Sequence, residues 1–582
     1  MDIMPAFEAV VGGSNPSGCT KKVEQNLKNL SKSLILKIPK EVSYVTNTLE
    51  KAGFEVYLVG GCVRDLVLGR GPKDWDVTTN AKPEQIIGLF EKTVYENTFG
   101  TVGICIPAEV FVKENVARET LKNNVIHETK RYNIEVTPYR IETKYSDFRH
   151  PDEVKFSNNL SDDLKRRDFT INAMALDSKG HLVDLFEGIK DIKDKTFRAV
   201  GNPDDRFTED ALRMLRAVRF ACQLDFSVSY ETTESILKNA DLLKEISSER
   251  IRDEFEKIIM SSNPASGIVM LQKFNLLKNI IPELEEGIGC EQSGEHIYDV
   301  WNHLLHAVQH AADKNWPLEI RLAALFHDIG KPKSRRLAET GEFAFRRSHP
   351  ILEGQDSKLS QRILLQANSP VSAGKKKYTF YGHEVVSTRM VKKIMERLKF
   401  PKKEIELVEK LVRNHMFFSD TELITLSAVR RIIVKVGPVD AKALAGKNEN
   451  HPIWDLMKVR ECDRVGMKKK EVPYRLRKYF AMIEEALRDP ISVGQLKING
   501  EFMKKELGIA PGPRMGWILN ALLEEVLDAP EKNTVEHLSE LVKSLNMLGD
   551  QELKTLGLRG KEKKEELEEK EVKKLHLRHG VE

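Results

Sequence analysis

The sequence lacks several features that would identify a class of protein directly. Its six cysteines include no CxxC pair, which argues against a zinc knuckle or a disulfide framework and predicts reduced, cytosolic thiols. No apolar run is long enough to cross a membrane, and the N-terminus lacks the pattern of a signal peptide, so we expect a soluble, cytoplasmic protein without membrane contact. The 92 basic and 88 acidic residues nearly cancel, so contact with nucleic acid would need local basic patches.

Two kinds of hydrophobic pattern divide the 582 residues, a length that indicates about three or four domains. Alternating apolar positions predict strands at residues 54–59, 100–106 and 132–140. From about residue 207 onward helical periodicity dominates, so we expect an α+β fold with a long helical remainder. Residues 1–36 mix Gly, Ser, Asn and Pro without a sustained period and are predicted to be a disordered extension.

A glycine pair and two carboxylates lie close together in the first strand region. Gly60 and Gly61 follow a predicted strand, and paired glycines let backbone amides approach phosphate oxygens closely. Asp74 and Asp76 are two residues apart on a predicted strand, so they would share one face and could hold a pair of Mg²⁺ ions. Glu135, on another predicted strand, is the candidate third carboxylate. The region contains neither a Walker loop nor a GxGxxG fingerprint.

Two longer motifs resemble a known family. GGCVRD at 60–65 with DWDVTT at 74–79, and RRDFTINAMA at 166–175, resemble the bacterial-type tRNA nucleotidyltransferases (CCA-adding enzymes) and related poly(A) polymerases. The resemblance implies a polymerase-β-like nucleotidyltransferase head followed by an all-α neck and body, and it makes Asp74 and Asp76 the Mg²⁺ ligands. The residues that it places near the nucleotide are Gly60, Gly61, Arg64, Asp65, Arg166, Arg167, Asp168 and Asn172.

The segment at 209–213 has two interpretations. A helix is predicted to begin with Thr208 as its N-cap, which would make Asp210 and Arg213 neighbours on one face and partners in a local ion pair. Alternatively, a carboxylate that only accepts and a guanidinium that only donates would pair with cytosine and adenine and reject uracil and guanine. The EDxxR motif has this role in the resembled family, so we favour a template for C and A made of protein. Further candidate nucleotide ligands on this helix are Arg216 and Arg219.

A second set of ligands lies wholly in the helical part. The doublet His327-Asp328 follows an apolar helix and resembles that of the HD phosphohydrolase superfamily, in which histidines, the doublet and a distal aspartate bind metal. Neutral imidazoles with carboxylates suit Mn, Fe, Co, Ni or Zn, and the extra histidines would allow a binuclear site. The ligand set does not identify a substrate, so the cluster could either catalyse hydrolysis or bind metal without catalysis. The candidate ligands are His303, His327, Asp328, His383, His415 and Asp463.

The motifs and composition changes predict five segments. The segments are an extension at 1–36, the head at 37–185, a helical neck and nucleotide-recognition domain at 186–286, the HD domain at 287–470, and a helical tail at 471–582. Glycines and basic residues of the tail, including Lys504, Lys505 and Arg514, could contact an RNA backbone or belong to a plain helical hairpin.

The leading hypothesis is an enzyme that adds CMP and AMP to the 3′ end of tRNA, with CTP and ATP as substrates. A poly(A) polymerase or A-only tailing enzyme is the alternative, although residues 98–103 look more like the CCA-adding branch. An alternative of another class is an HD-type phosphohydrolase whose head merely binds RNA.

Overall fold

The computed structural model describes residues 38–96, 100–107, 131–145, 151–292, 296–337, 378–416, 425–437, 451–467, 473–488, 496–554 and 556. The chain separates into two compact units, Met1–Pro282 and Glu283–Glu582. The predicted extension at 1–36, residues 98–99 and the charged run near the C-terminus lie outside the described residues.

The first unit begins with the β-rich head. Its strands are β1 (Val56–Val59), β2 (Asp76–Thr79), β3 (Thr93–Glu96), β4 (Thr101–Pro107), β5 (Arg131–Pro138), β6 (Arg140–Tyr145), β7 (Pro151–Phe156), β8 (Met174–Leu176) and β9 (Leu182–Asp184). Seven of them form one sheet in the order β3-β4-β5-β2-β1-β8-β9, while β6 and β7 pair as a separate hairpin. The pair β2 and β5 is parallel, and its register places Asp76 opposite Glu135.

Helices cover the sheet and form most of the rest of this unit, which also contains a short parallel pair of strands, Thr196–Phe197 with Ser227–Val228. The helices are α1 (Lys40–Lys51), α2 (Gly61–Val67), α3 (Pro83–Leu89), α4 (Leu160–Lys165), α5 (Gly188–Lys193), α6 (Pro203–Glu209), α7 (Leu212–Leu224), α8 (Tyr230–Asn239), α9 (Ser248–Ile259), α10 (Pro264–Lys273) and α11 (Leu277–Ile280). The helical spacing of Val42, Val45 and Leu49 predicted α1, and all three side chains are fully buried.

Three phenylalanines pack α7 against the end of the head. The rings of Phe197 and Phe220 stack with their centroids 5.5 Å apart, and Phe169 meets Phe197 edge-on at 5.1 Å. Phe169 belongs to the RRDFTINAMA motif and Phe220 to α7. This cluster therefore fixes α7 beside the motif.

The prediction that Thr208 caps a helix is wrong. Asn202 is the N-cap of α6, where its side chain accepts a hydrogen bond from the amide of Asp204, and Pro203 follows at the first helical position. Thr208 lies inside α6 and donates its hydroxyl hydrogen to the carbonyl of Asp204 at 2.8 Å. The first helix ends at Glu209 and the next begins at Leu212, so the 209–213 motif spans two helices.

The second unit is helical. Its helices are α12 (Val300–Asp313), α13 (Leu318–Phe326), α14 (Lys331–Ser334), α15 (His383–Arg397), α16 (Lys402–Asn414), α17 (Leu426–Val436), α18 (Pro452–Asp463), α19 (Pro473–Arg488), α20 (Gly500–Lys505), α21 (Pro513–Asp528) and α22 (Val535–Asn546). In the part of the chain that the structure describes, none of the helices could span a bilayer. The fold is therefore α+β, with the sheet in the head and a helical remainder.

Candidate functional site

A cavity of about 760 Å³ lies where β2 and β5 run side by side. Five carboxylates line it, and the three predicted ligands Asp74, Asp76 and Glu135 are among them, together with Glu41 and Asp168. The strand begins at Asp76, so Asp74 precedes it by two residues instead of lying on it as predicted. Burial raises the pKa of Asp76, and the neighbouring charge of Asp74 raises it further, while Arg167 lowers it. Oxygen donors that repel one another in this way fit a hard divalent cation such as Mg²⁺.

Gly60 lines the cavity with a backbone conformation that favours glycine. Its φ is +83°, and a Cβ there would lie 3.0 Å from Nη1 of Arg167 and 3.5 Å from Oδ2 of Asp76. Both the left-handed backbone and the lack of space therefore require glycine. The backbone at the start of α2 can in this way come close to a bound phosphate.

Four arginines line the same cavity: Arg64, Arg167, Arg216 and Arg219. Asn172 orients Arg64 by accepting a 2.9 Å hydrogen bond from its Nη1. Such a concentration of guanidinium groups suits the phosphate oxygens of a triphosphate.

Asp168 holds Arg216 in place. Its Oδ2 accepts from Nε and Nη2 of Arg216 at 2.8 and 2.6 Å. Burial alone would raise the pKa of Asp168, but the Arg216 guanidinium more than offsets burial and brings that pKa to about 2. The carboxylate therefore stays ionised and keeps Arg216 fixed at the cavity wall.

Phe220 is a lining residue that the sequence analysis missed. The guanidinium carbons of Arg64, Arg216 and Arg219 lie 5.3, 5.5 and 4.1 Å from the centre of its ring. Glu254 also binds Arg219 at 3.0 Å, although burial still lowers the pKa of that arginine to about 10. Arg216 and Arg219 precede Phe220 by four residues and by one residue in the sequence. This spacing was the signal that could have identified Phe220 as a lining residue.

Four predicted nucleotide ligands are not among the residues that line this cavity. They are Asp65, Arg166, Asp210 and Arg213. The interpretation of Asp210 and Arg213 as a local ion pair is wrong, because Asp210 accepts from Nη2 of Arg250 at 2.9 Å, while Nη1 of Arg213 donates to Glu209 at 2.8 Å. Asp65 instead pairs with Arg64.

The six predicted HD ligands converge in the second unit. His303, His327, Asp328 and Asp463 place their ligand atoms within 4.8 Å of one another, and so do Asp328, His383 and His415. Asp328 belongs to both groups: Oδ2 lies 3.3 Å from Nε2 of His303, and Oδ1 lies 3.2 Å from Nε2 of His383. One carboxylate shared between two ligand groups is the arrangement that a binuclear centre uses.

Backbone carbonyls orient three of these histidines. The Nδ1 atoms of His327, His383 and His415 lie 2.8, 2.8 and 2.7 Å from the carbonyl oxygens three residues earlier. Each contact turns Nε2 toward the cluster. The Nε2 atoms of His383 and His415 are buried and have no hydrogen-bond partner among the described residues. This donor set fits a divalent transition metal.

The carboxylates of the cluster are held ionised. Burial acts to raise the pKa of Asp328, but Lys331, whose Nζ lies 2.5 Å from Oδ2, and His327 bring it well below its usual value. The pKa of Asp463 is also lowered against burial, through His303 and His327. Burial lowers the pKa of His415, which favours the neutral imidazole that metals bind.

The tail residue Arg514 is engaged within the protein. Its Nη2 donates to the carbonyls of Asn546 and Leu548 at 2.7 Å each, and its Nη1 pairs with Asp550. These bonds satisfy carbonyls at the end of α22. Arg514 thus links α21 to the end of α22, and contact of the tail with RNA stays a prediction.

Three family models match successive parts of the chain. A Poly A polymerase head domain matches residues 56–198, a probable RNA and SrmB-binding site of polymerase A matches 225–288, and an HD domain matches 294–465.

Curated relatives match about two fifths of the protein. CCA-adding enzymes from Ligilactobacillus salivarius and Enterococcus faecalis are each 44% identical over 239 and 229 residues, which are 40% and 39% of this chain and 54% and 51% of theirs. The chain thus spans about half the length of the curated relatives it matches.

A solved structure extends the likeness in fold. The crystal structure of the Bacillus stearothermophilus CCA-adding enzyme in complex with CTP gives a TM-score of 0.56 at 24% identity and covers 87% of this chain and 97% of that one. The seven-stranded sheet lies within the match to the Poly A polymerase head domain, and the helical remainder contains the match to the HD domain. The chain thus carries matches to a Poly A polymerase head domain, to the probable RNA and SrmB-binding site of polymerase A and to an HD domain in succession, and part of it is similar to CCA-adding enzymes.

Proposed function

We propose that this protein is a tRNA nucleotidyltransferase that adds CMP and AMP to the tRNA 3′ end without a nucleic-acid template. The observation that carries the proposal is the register of β2 and β5, which brings Asp76 opposite Glu135 in a cavity that Asp74 and four arginines also line. The motifs resemble those of CCA-adding enzymes, and this resemblance indicates tRNA, CTP and ATP as the substrates.

In the proposed reaction the 3′-hydroxyl of the RNA attacks the α-phosphate of the nucleotide. The hydroxyl loses its proton to solvent as a new O–P bond forms, and the bond to the bridging oxygen breaks, so that pyrophosphate leaves with the electron pair. Mg²⁺ held by Asp74 and Asp76, with Glu135 beside them, would supply charge stabilisation at the attacking and leaving oxygens. Arg64, Arg167 and the other lining arginines bind and orient the triphosphate.

Base selection is assigned to Asp210 and Arg213, with Arg166 adjacent. Asp210 can only accept and Arg213 can only donate, which matches the amine and ring nitrogen shared by cytosine and adenine. Both side chains have protein partners, Arg250 and Glu209, so an incoming base must exchange with or share these contacts.

The test uses tRNA that lacks its CCA end, incubated with CTP alone, ATP alone, or both, in the presence of Mg²⁺. Three added nucleotides with both substrates, and a stop at two with CTP alone, are expected. A product that keeps growing in ATP would favour the poly(A) alternative. No extension under any of these conditions would contradict the proposal.

We also propose that the HD cluster binds a divalent transition metal, one of Mn, Fe, Co, Ni or Zn, and acts as a phosphohydrolase. The observation that favours it is the shared carboxylate of Asp328 between two groups of buried histidines. Metal analysis of the purified protein and hydrolysis of a generic phosphodiester, with His327→Ala as the control, test this second function. If the HD cluster carried the main activity, Asp74→Ala would leave that activity intact.

The proposed location is the cytoplasm. The described cysteines, Cys62, Cys105, Cys222, Cys290 and Cys462, are all free thiols, which suits a reducing compartment. Fractionation of cells with an antibody against the protein tests it, and recovery outside the cytoplasmic fraction would contradict it.

A further inference from the structure

Asp163 is a buried carboxylate that the chemistry described above does not use. It lies on α4 with none of its surface exposed. Its Oδ1 accepts hydrogen bonds from Nε and Nη2 of Arg166 at 3.0 and 2.5 Å, and its Oδ2 accepts from Nη2 of Arg167 at 3.1 Å. Burial alone would raise the pKa of Asp163, but Arg167 and then Arg166 lower it below its usual value. The carboxylate is therefore an ionised anchor for two cations.

Arg167 extends from this anchor into the nucleotide cavity. Its Nη1 lies 3.0 Å from where a Cβ at Gly60 would be, and that same point lies 3.5 Å from Oδ2 of Asp76. One edge of the guanidinium is thus held by Asp163, while the other faces the glycine turn and a candidate metal ligand.

We propose that Asp163 is a positioning residue for the nucleoside triphosphate. It fixes the orientation of Arg167, so that the remaining edge of this guanidinium is presented to the phosphate oxygens before the nucleotide arrives. An arginine that is already oriented loses less conformational freedom on binding, and a planar donor fork depends on correct orientation. The inference rests on the proposed nucleotidyl transfer and adds to it the residue that preorganises phosphate binding.

The first experiment measures CTP and ATP binding to the full-length Asp163→Asn variant by calorimetry, with Mg²⁺ and without tRNA. Because the triphosphate is common to both nucleotides, affinity for both should fall by the same factor, about 10- to 100-fold, as for other residues that orient a ligand-binding group. The preference for CTP over UTP should stay as in the wild type. Asp162→Asn is the matched control, since Asp162 accepts from Ser157 at 2.5 Å, and its affinities should stay within about twofold of the wild type.

A double-mutant cycle separates positioning from a general structural role. In an Arg167→Lys background, the further change Asp163→Asn should weaken CTP binding by less than about twofold, because the guanidinium that Asp163 orients is already absent. Losses that multiply in the double variant, or wild-type CTP affinity in Asp163→Asn, would overturn the inference. If Asp163→Asn does not fold, Asp163→Glu, which keeps the charge but moves it, takes its place in the same cycle.

The binding readout also keeps this inference separate from the proposed function. A wild-type protein that binds CTP but does not extend tRNA would contradict CCA addition alone, and the cycle would still decide the role of Asp163. A wild-type protein that extends tRNA, together with a cycle that shows independent losses, would contradict the role of Asp163 alone.

Discussion

The two candidate metal centres differ in donor chemistry and in burial. In the head, Asp74 and Asp76 are exposed to a cavity of about 760 Å³, and the donors are carboxylate oxygens. In the HD cluster, His327 and Asp328 have no exposed surface, and histidine nitrogens are in the majority. An open oxygen site suits an ion that shares its ligands with a large substrate, whereas a closed nitrogen-rich site suits a resident ion.

Asp76→Ala gives the largest expected separation of the two centres. Loss of a carboxylate that would hold Mg²⁺ should lower nucleotide incorporation by more than about 10³-fold, since the charge that forms at the α-phosphate is no longer stabilised. Metal bound to the HD cluster should stay at the wild-type level. Incorporation from CTP and elemental analysis of the same preparations measure both quantities.

The matched control for this experiment is Asp194→Ala, which changes an exposed aspartate at the end of α5. Its incorporation rate should equal that of the wild type. Incorporation by Asp76→Ala within tenfold of the wild type would show that Asp76 is not a metal ligand.

His327→Ala tests the second metal centre, the HD cluster. His327 is fully buried, and Ala324 orients it through its carbonyl, so its loss should weaken transition-metal binding by at least about 100-fold. Nucleotide incorporation should be unchanged. Metal retained after dialysis, measured per chain, is the readout.

His310→Ala provides the control, because His310 pairs with Glu461 at 2.9 Å and is not part of either ligand group. Its metal content should match the wild type. Equal metal content in His327→Ala and His310→Ala would contradict the HD assignment.

Gly60→Ala tests the glycine turn that lines the cavity of the head. The substitution strains a backbone at φ +83° and places a Cβ 3.0 Å from Arg167, so kcat/KM for CTP should fall about 10- to 100-fold. Gly53→Ala is the control: it has φ +90° but no atom within 4 Å of the added Cβ. It should cost about 1–2 kcal/mol of stability from the left-handed backbone and leave kcat/KM unchanged. Equal losses of activity in both variants would mean that backbone strain alone is responsible.

Much of the fold and the carboxylates of the head could be predicted from the sequence because their signals are local, whereas the HD ligands, which extend from His303 to Asp463, were inferred from the resemblance to the HD superfamily. The alternation of β2 and β5 and the DWD segment indicated which carboxylates would meet, and the structure places Asp76 opposite Glu135. The apolar helix before His327-Asp328 likewise indicated a buried cluster. Periodicity and motif spacing carry this information directly.

What could not be predicted depends on partners distant in sequence. The helix that begins after the cap at Asn202 ends at Glu209, and Arg250 contacts Asp210 from forty residues away. Asp163 gave no signal, since a single acid in a short helix is common and its burial depends on tertiary packing. The stacking of Phe220 with its arginines is also a product of packing.

The smallest expected effect concerns acid stability and one ion pair in the head. The pKa of Asp168 is about 2 in the folded protein, against an ordinary value of 3.8. A lowered pKa stabilises the folded state above pH 3.8, and this contribution is lost as the pH falls through about 2. It amounts to about 2 kcal/mol.

Asp168→Asn should therefore unfold more easily in urea at pH 5, and its difference from the wild type should shrink toward pH 2. The lowered pKa values of Asp328 and Asp463 add their own acid dependence, but both proteins share it, so it cancels in the difference. The exposed Asp194→Asn substitution is the control and should follow the wild type at every pH. A difference between wild type and Asp168→Asn that stays constant from pH 5 to pH 2 would mean that the carboxylate charge of Asp168 does not stabilise the head.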